Sequence, residues 1–141
     1  MMHWTYEGNE FTTADIDGYY GFVYRITNNR NGHDYIGRKY FKSKRKLKPL
    51  KGKKRKRTKI VETDWADYWG SSERLKEDIE IFGKENFKRE IIHLCKSRSE
   101  TNYMEAHYQF KEKVLLREDN YNGIIAIKLG YRGLKDIEIE E

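Results

Sequence analysis

Cysteine and proline are close to absent: Cys95 and Pro49 stand alone in 141 residues. A single thiol excludes an intramolecular disulfide and a thiolate-rich zinc site, and it suits a reducing compartment. No apolar run reaches the ~20 residues of a membrane span. The amino-terminal MMHWTYEGNE lacks both the charge and the apolar segment of a signal peptide, so a soluble cytoplasmic protein with no membrane partner is expected. Hydrophobic residues are also sparse, 37% of the chain. The shortage is offset by aromatics, 14% of the residues with eleven tyrosines, which bury a ring while exposing a polar tip. A chain of this length can then build one core and one domain.

Positive charge is in excess, and it is concentrated. The chain carries 29 Lys and Arg against 23 Asp and Glu, a formal +6. Fourteen of the bases lie between Arg38 and Lys59 with no acid among them, which leaves the rest of the chain net acidic. This block, KSKRKLKPLKGKKRKR at its densest, reads as a phosphate-tracking segment whose DNA-binding candidates are Arg38, Lys39, Lys42, Lys44, Lys46, Lys51, Lys53, Lys54, Arg55, Lys56 and Arg57. A solvated loop is the alternative. In either case the block is an insertion over 38–60 that contributes little to a core.

Around the insertion the periodicity is readable. Gly21–Thr27 sets Phe22, Tyr24 and Ile26 against Val23, Arg25 and Thr27, and the turn-forming NNRNG leads into HDYIGRKYF. Together they predict a hairpin in which Tyr24 and Tyr35 come close across two strands, give or take a residue of register. Ser72 as cap, Leu75, Ile79 and Phe82 on one face and Gly83 as stop predict a helix over 73–82. FKREIIHLC predicts a third strand. Ser97 and Glu100, at capping-box spacing, start a second helix expected to reach Leu115, with Tyr103, Ala106, Phe110 and Val114 as its core stripe and Glu105 off that stripe and accessible. GIIAIKLGYRGL offers a final strand or irregular cover. The resulting expectation is an α+β fold, a small, about three-stranded, mostly antiparallel sheet flanked by helices. The domain would span 21–130, between an amino-terminal arm over 1–20 and an acidic tail over 131–141.

The order of these pieces resembles the GIY-YIG nuclease family. Phe22-Val23-Tyr24 stands for the first motif, with Gly21 just before it and Phe22 where the family usually has glycine, and Tyr35-Ile36-Gly37 stands for the second. An arginine after the second motif, a glutamate on a later helix and an asparagine beyond it complete the set as Arg45, Glu105 and Asn122. The resemblance runs from Gly21 to Asn122 and includes the GSS-helix-FGKENF-strand layout. Within the family it is nearest to the short free-standing homing endonucleases of T-even-like phages, which share the lysine-rich insertion and the WxxYxGSS segment.

The resemblance implies a Mg²⁺- or Mn²⁺-dependent endonuclease that nicks or cuts double-stranded DNA, encoded by a phage and acting in the cytoplasm of a bacterial host as a monomer or homodimer. Tyr24 would deprotonate or orient the attacking water, its phenol made more acidic by nearby cations, and Tyr35 would orient groups across the hairpin; aromatic packing is the plainer role for both. Glu105 would be the metal ligand, because a hard divalent ion can be held by one carboxylate plus water and phosphate oxygens. Arg45 would clamp the scissile phosphate through its guanidinium fork, with Arg38, beside Gly37, as its rival. Asn122 would hold the phosphate or a catalytic side chain, or simply form a turn before Gly123. His107 would assist as a base, against a packing role beside Tyr103 and Phe110. A non-catalytic nucleic-acid binder and a restriction or repair nuclease of the same fold stand as alternatives.

Overall fold

A computed structural model of the chain describes residues 3–135 and 137. Residues 136 and 138–141 of the expected acidic tail, and Met1 and Met2 of the expected arm, lie outside the described residues. In chain order the elements are β1 (Thr5–Tyr6), β2 (Asn9–Glu10), β3 (Gly21–Asn28), β4 (Asp34–Tyr40), β5 (Lys42–Leu47), β6 (Arg57–Glu62), α1 (Glu73–Phe82), β7 (Phe87–Cys95) and α2 (Arg98–Lys111).

The α+β class holds, but the main sheet has five strands rather than three, ordered β2-β1-β7-β3-β4, and it is mixed because β1 runs parallel to β7. The two extra strands come from the segment expected as an arm. Glu7 and Gly8 both adopt positive φ, 52° and 83°, and so make a two-residue turn that folds β1 back onto β2. The same segment buries Trp4, Phe11 and Ile16, and the Trp4 indole donates to the Trp65 carbonyl at 2.8 Å. Trp4, Phe11 and Ile16 therefore tie this segment to the core.

The alternation in β3 sorts the two faces. Phe22, Tyr24 and Ile26 pack with Trp4, Phe41 and Trp65 beneath α1, whose Leu75 and Ile79 each contribute about 1.5–3 kcal/mol by leaving water. Val23, on the other face, packs with Ile36, Cys95 and Val114 and with Met104 and Tyr108 of α2. Both helices begin as the sequence predicts: the Ser72 hydroxyl accepts from the Leu75 N–H, and the Ser97 hydroxyl from the Glu100 N–H at 3.0 Å.

Two expectations change and one open alternative is resolved. Helix α2 stops at Lys111, and its buried residues are Thr101, Glu105, Ala106 and Gln109; Tyr103 and Phe110 are exposed, while Val114 is buried beyond the helix. The apolar stripe misled because this face meets backbone and charged partners that only polar side chains can satisfy. Residues 123–134, expected as a final strand or irregular cover, hold no strand and take the irregular form. The basic insertion is not a loop: β5 and β6 pair antiparallel into a separate two-stranded ribbon, closed by a turn around Lys51–Gly52. Its root is Phe41, fully buried, whose carbonyl accepts from the Thr63 N–H at 2.9 Å.

Candidate active site

The candidate site lies over the last residues of β4, the strand at one margin of the sheet. Tyr24 on β3 stands directly opposite Gly37 on β4, so no side chain blocks its ring from reaching across the strand. A Cβ at position 37 would sit 2.5 Å from the Tyr24 hydroxyl and 2.9 Å from the Tyr35 ring. This close approach is the physical reason for glycine in YIG. Tyr35 lies two residues away along β4, opposite Ile26, and its ring centroid is 6.1 Å from that of Tyr24. The two tyrosines are therefore diagonal neighbours on one face rather than directly opposed. Tyr68 closes on Tyr24 edge-on, and the Tyr35 hydroxyl meets the Ser71 hydroxyl at 3.2 Å.

Arg38 and Glu105 complete the pocket. The Arg38 Nη1 donates to the Glu105 Oε1 at 2.6 Å, a charge-assisted bond that crosses from β4 to α2. Arg38 Nε also donates to the Tyr40 hydroxyl, which in turn donates to Asn102, so the guanidinium is held from two sides. Burial pushes the Glu105 carboxyl upward against the opposing pull of Arg38, while the Arg38 guanidinium, despite its own desolvation, is held more firmly cationic by Glu105 and Tyr40. Glu105 is buried where accessibility was expected. Tyr24 also departs from expectation: burial, followed by neighbouring Tyr35 and Tyr68, raises its phenol well above 10. In this fold Tyr24 is a neutral phenol, because its burial denies a phenolate solvation and two further phenols and a carboxylate disfavour its charge.

The pocket is a cavity of about 400 Å³ lined by Tyr24, Tyr35, Arg38, Tyr40, Ser71 and Glu105, and by Ser43 and Thr63 from the root of the ribbon. Its shape depends on two clamps. The Asn122 amide accepts from the Ile36 N–H at 3.0 Å and donates to the Ile36 carbonyl at 2.8 Å, a side-chain imitation of a strand ladder on the outer edge of β4; Gln109 donates to the same carbonyl. The Asn122 side chain is thus bound to the strand backbone between Tyr35 and Gly37, and residues 121–123 form no turn. The second clamp is Arg89, whose Nη1 donates to the Ala66 and Tyr68 carbonyls at 3.1 and 2.7 Å while its guanidinium lies over the Trp4 and Trp69 rings. It fixes the segment that carries Tyr68 and Ser71.

Two named candidates fall outside. Arg45 is exposed on β5, paired with Lys59 of β6, and does not line the pocket. His107 is exposed on the side of α2 away from Glu105, with its ring beside Tyr108, so it neither lines the pocket nor packs in the core. Lys39, counted with the basic block, is engaged within the protein: it pairs with Asp64 at 2.7 Å and lies over the Tyr68 ring. Tyr40, Gln109 and Asn102 were not singled out from the sequence, and no local signal marks them. Tyr68 and Ser71 did sit in the WxxYxGSS segment.

A hard divalent ion fits this donor set. Glu105 is the pocket's single carboxylate, and hydroxyls supply its other oxygen donors, with neither thiolate nor imidazole among them. That composition suits Mg²⁺ or Mn²⁺ completed by water and substrate oxygens rather than a closed protein cage.

Comparison with known proteins finds relatives of the sequence. A family model described as "Putative endonuclease segE, GIY-YIG domain" matches residues 4–125. The curated protein "Putative endonuclease segD" of Enterobacteria phage T4 is 32% identical over 103 residues, which cover 73% of this chain and 37% of that protein. The match thus spans little more than a third of that relative's length. No solved structure matches.

Proposed function

Because the chain belongs to the GIY-YIG endonuclease family, we propose that it hydrolyses phosphodiester bonds of double-stranded DNA at the pocket between β4 and α2, using Mg²⁺ or Mn²⁺. The reading extends to a phage homing-type role in the cytoplasm of a bacterial host. The observation that carries it is the Arg38–Glu105 pair, a carboxylate and a guanidinium fork drawn partly out of water beside two convergent tyrosine hydroxyls.

Each side chain has work that its chemistry suits. Glu105 would hold the metal, which when bound supplies Lewis-acid stabilisation of charge on the phosphate. Arg38 offers two parallel N–H donors to phosphate oxygens and is the better clamp than Arg45, since it already stands in the pocket. Tyr24, held neutral by burial, orients water through its hydroxyl; for it to take the proton, the cations that arrive with substrate must first offset that burial. Tyr35, tied to Ser71, aligns the opposite side of the pocket.

The test is relaxation of supercoiled plasmid and of phage genomic DNA by wild type and by Glu105→Gln, with Mg²⁺ and with chelator. The expected result is metal-dependent cutting by wild type, reduced at least about 10²–10³-fold in the variant, with DNA binding and thermal melting retained. DNA binding without metal-dependent cutting on either substrate would replace the enzyme with a non-catalytic binder.

A further inference from the structure

The ribbon asks what kind of surface it fits. Cross-strand pairing assigns its side chains to faces: Arg45, Lys59 and Arg57 share one face with Ser43, while Lys42, Lys44 and Lys46 share the other. Ser43 lines the catalytic cavity, so the first face is continuous with the pocket. Apart from Lys42, Leu47 and Val61, every residue of both strands is exposed, and among the described residues none of the ribbon's cations forms an ion pair with an acid. A ribbon that lay flat along one phosphate backbone would need cations on one face only. Cations on both faces suit a slot with a phosphate wall on each side.

Duplex DNA offers such a slot. A two-stranded ribbon with side chains on both faces is on the order of 10 Å thick. The major groove, about 12 Å wide, admits it, and the minor groove, about 6 Å wide, does not.

We propose that the β5–β6 ribbon enters the major groove of the DNA substrate, with Arg45, Arg57 and Lys59 against the backbone nearer the catalytic pocket and Lys42, Lys44 and Lys46 against the opposite backbone. This rests on the nuclease reading only for the identity of the polymer as duplex DNA. Insertion at the root of the pocket fixes the distance between the groove contact and the phosphate that is cut, so the ribbon sets where along the helix the enzyme works.

The test measures binding rather than cutting, on the Glu105→Gln protein, so a failure of the catalytic assignment leaves its result intact. Fluorescence anisotropy compares a 30-base-pair duplex with the same duplex carrying bulky C5 substituents on its thymine positions, which fill the major groove, and with the plain duplex saturated by an A·T minor-groove ligand. The major-groove substituents are expected to weaken binding roughly tenfold or more, and the minor-groove ligand to change it less than about twofold. The salt dependence is then measured for Arg45→Ser/Lys59→Ser and for Lys44→Ser/Lys46→Ser. Each pair is expected to flatten the slope of log affinity against log salt by about 1.8, two contacts at roughly 0.9 each. Equal affinity for the plain and the substituted duplex, sensitivity to the minor-groove ligand instead, a slope that responds to one face alone, or no DNA binding at all overturns the inference.

Discussion

Arg38 and Arg45 lie seven residues apart on consecutive strands, and the fold treats them in opposite ways. Arg38 is bound to Glu105 and Tyr40 in a pocket that shields the pair from much of the solvent. Arg45 stands on a ribbon with water on both sides, opposite another cation. Coulomb's law gives the two positions different uses. In a partly desolvated pocket a charge is worth several times what it is in water, so a fixed guanidinium can stabilise charge that appears during a reaction. On an exposed ribbon each charge is weakly felt and strongly screened, and only the sum over many phosphates matters. Under the proposed function, position relative to water, rather than residue type, separates the arginine suited to chemistry from the one suited to binding.

The largest effect expected from this contrast is on turnover. Arg38→Ala should lower the rate at saturating DNA by about 10²–10³-fold, whereas Arg45→Ala should change it by no more than a few-fold and act on affinity instead. Single-turnover cleavage over a range of DNA concentrations separates the two, with thermal melting as the control for loss of the Glu105 partner. A reversed order, with Arg45 controlling turnover, would return the phosphate clamp to the ribbon and break the comparison.

The next effect is on packing within the pocket. Gly37→Ala forces a methyl group into the space taken by the Tyr24 hydroxyl and the Tyr35 ring, both on stiff side chains, Tyr24 buried and Tyr35 half-buried. The expected cost is about 1–3 kcal/mol of stability, read from a denaturant midpoint, together with loss of cleavage as the tyrosines part. An unchanged midpoint and an unchanged rate would mean that the two rings have room to move, and that the pocket is less rigid than its contacts indicate.

The same contrast explains what was legible beforehand. On the pocket side, local signals agreed with tertiary demand: the alternation of Gly21–Thr27, the Ser72 cap and the β-branched run of Phe87–Cys95 each correspond to an element with nearly those bounds, and the Ser97 cap marks the start of α2, though not its end. Tyr24, Tyr35 and Glu105 come together as the motif order implied, and Asn122 joins them through the backbone of Ile36. The burial of Glu105 was not legible, because the helical stripe was drawn through apolar residues and the partner that buries it, Arg38, is distant in sequence. The ribbon was not legible as strands for a different reason. Period-two alternation appears only when one face meets a core, and here both faces meet water, so Lys42–Leu47 shows no contrast for the pattern to reveal. The amino-terminal hairpin did carry a signal, Glu-Gly between short extended pairs, but segments of two residues are too short for periodicity to register.

The smallest effect is the one that most directly probes what the ribbon is for. Arg45 and Lys59 are direct cross-strand partners, and like charges in that position destabilise a pair of strands. No acid within the ribbon face offsets them, so the protein holds a local repulsion that a neutral β-former would remove. Lys59→Thr should therefore stabilise the ribbon by a few tenths of a kcal/mol, while weakening DNA binding and flattening its salt dependence by about 0.9. Because the ribbon contributes little to the core, a global melt is a poor reporter, and amide hydrogen exchange of Lys44 to Lys46 at low salt is the suitable one. Slower exchange with weaker binding would identify the charge as kept for a partner at the expense of the free fold. Faster exchange would mean instead that the Lys59 side chain holds the ribbon together, and its place opposite Arg45 would then be structural.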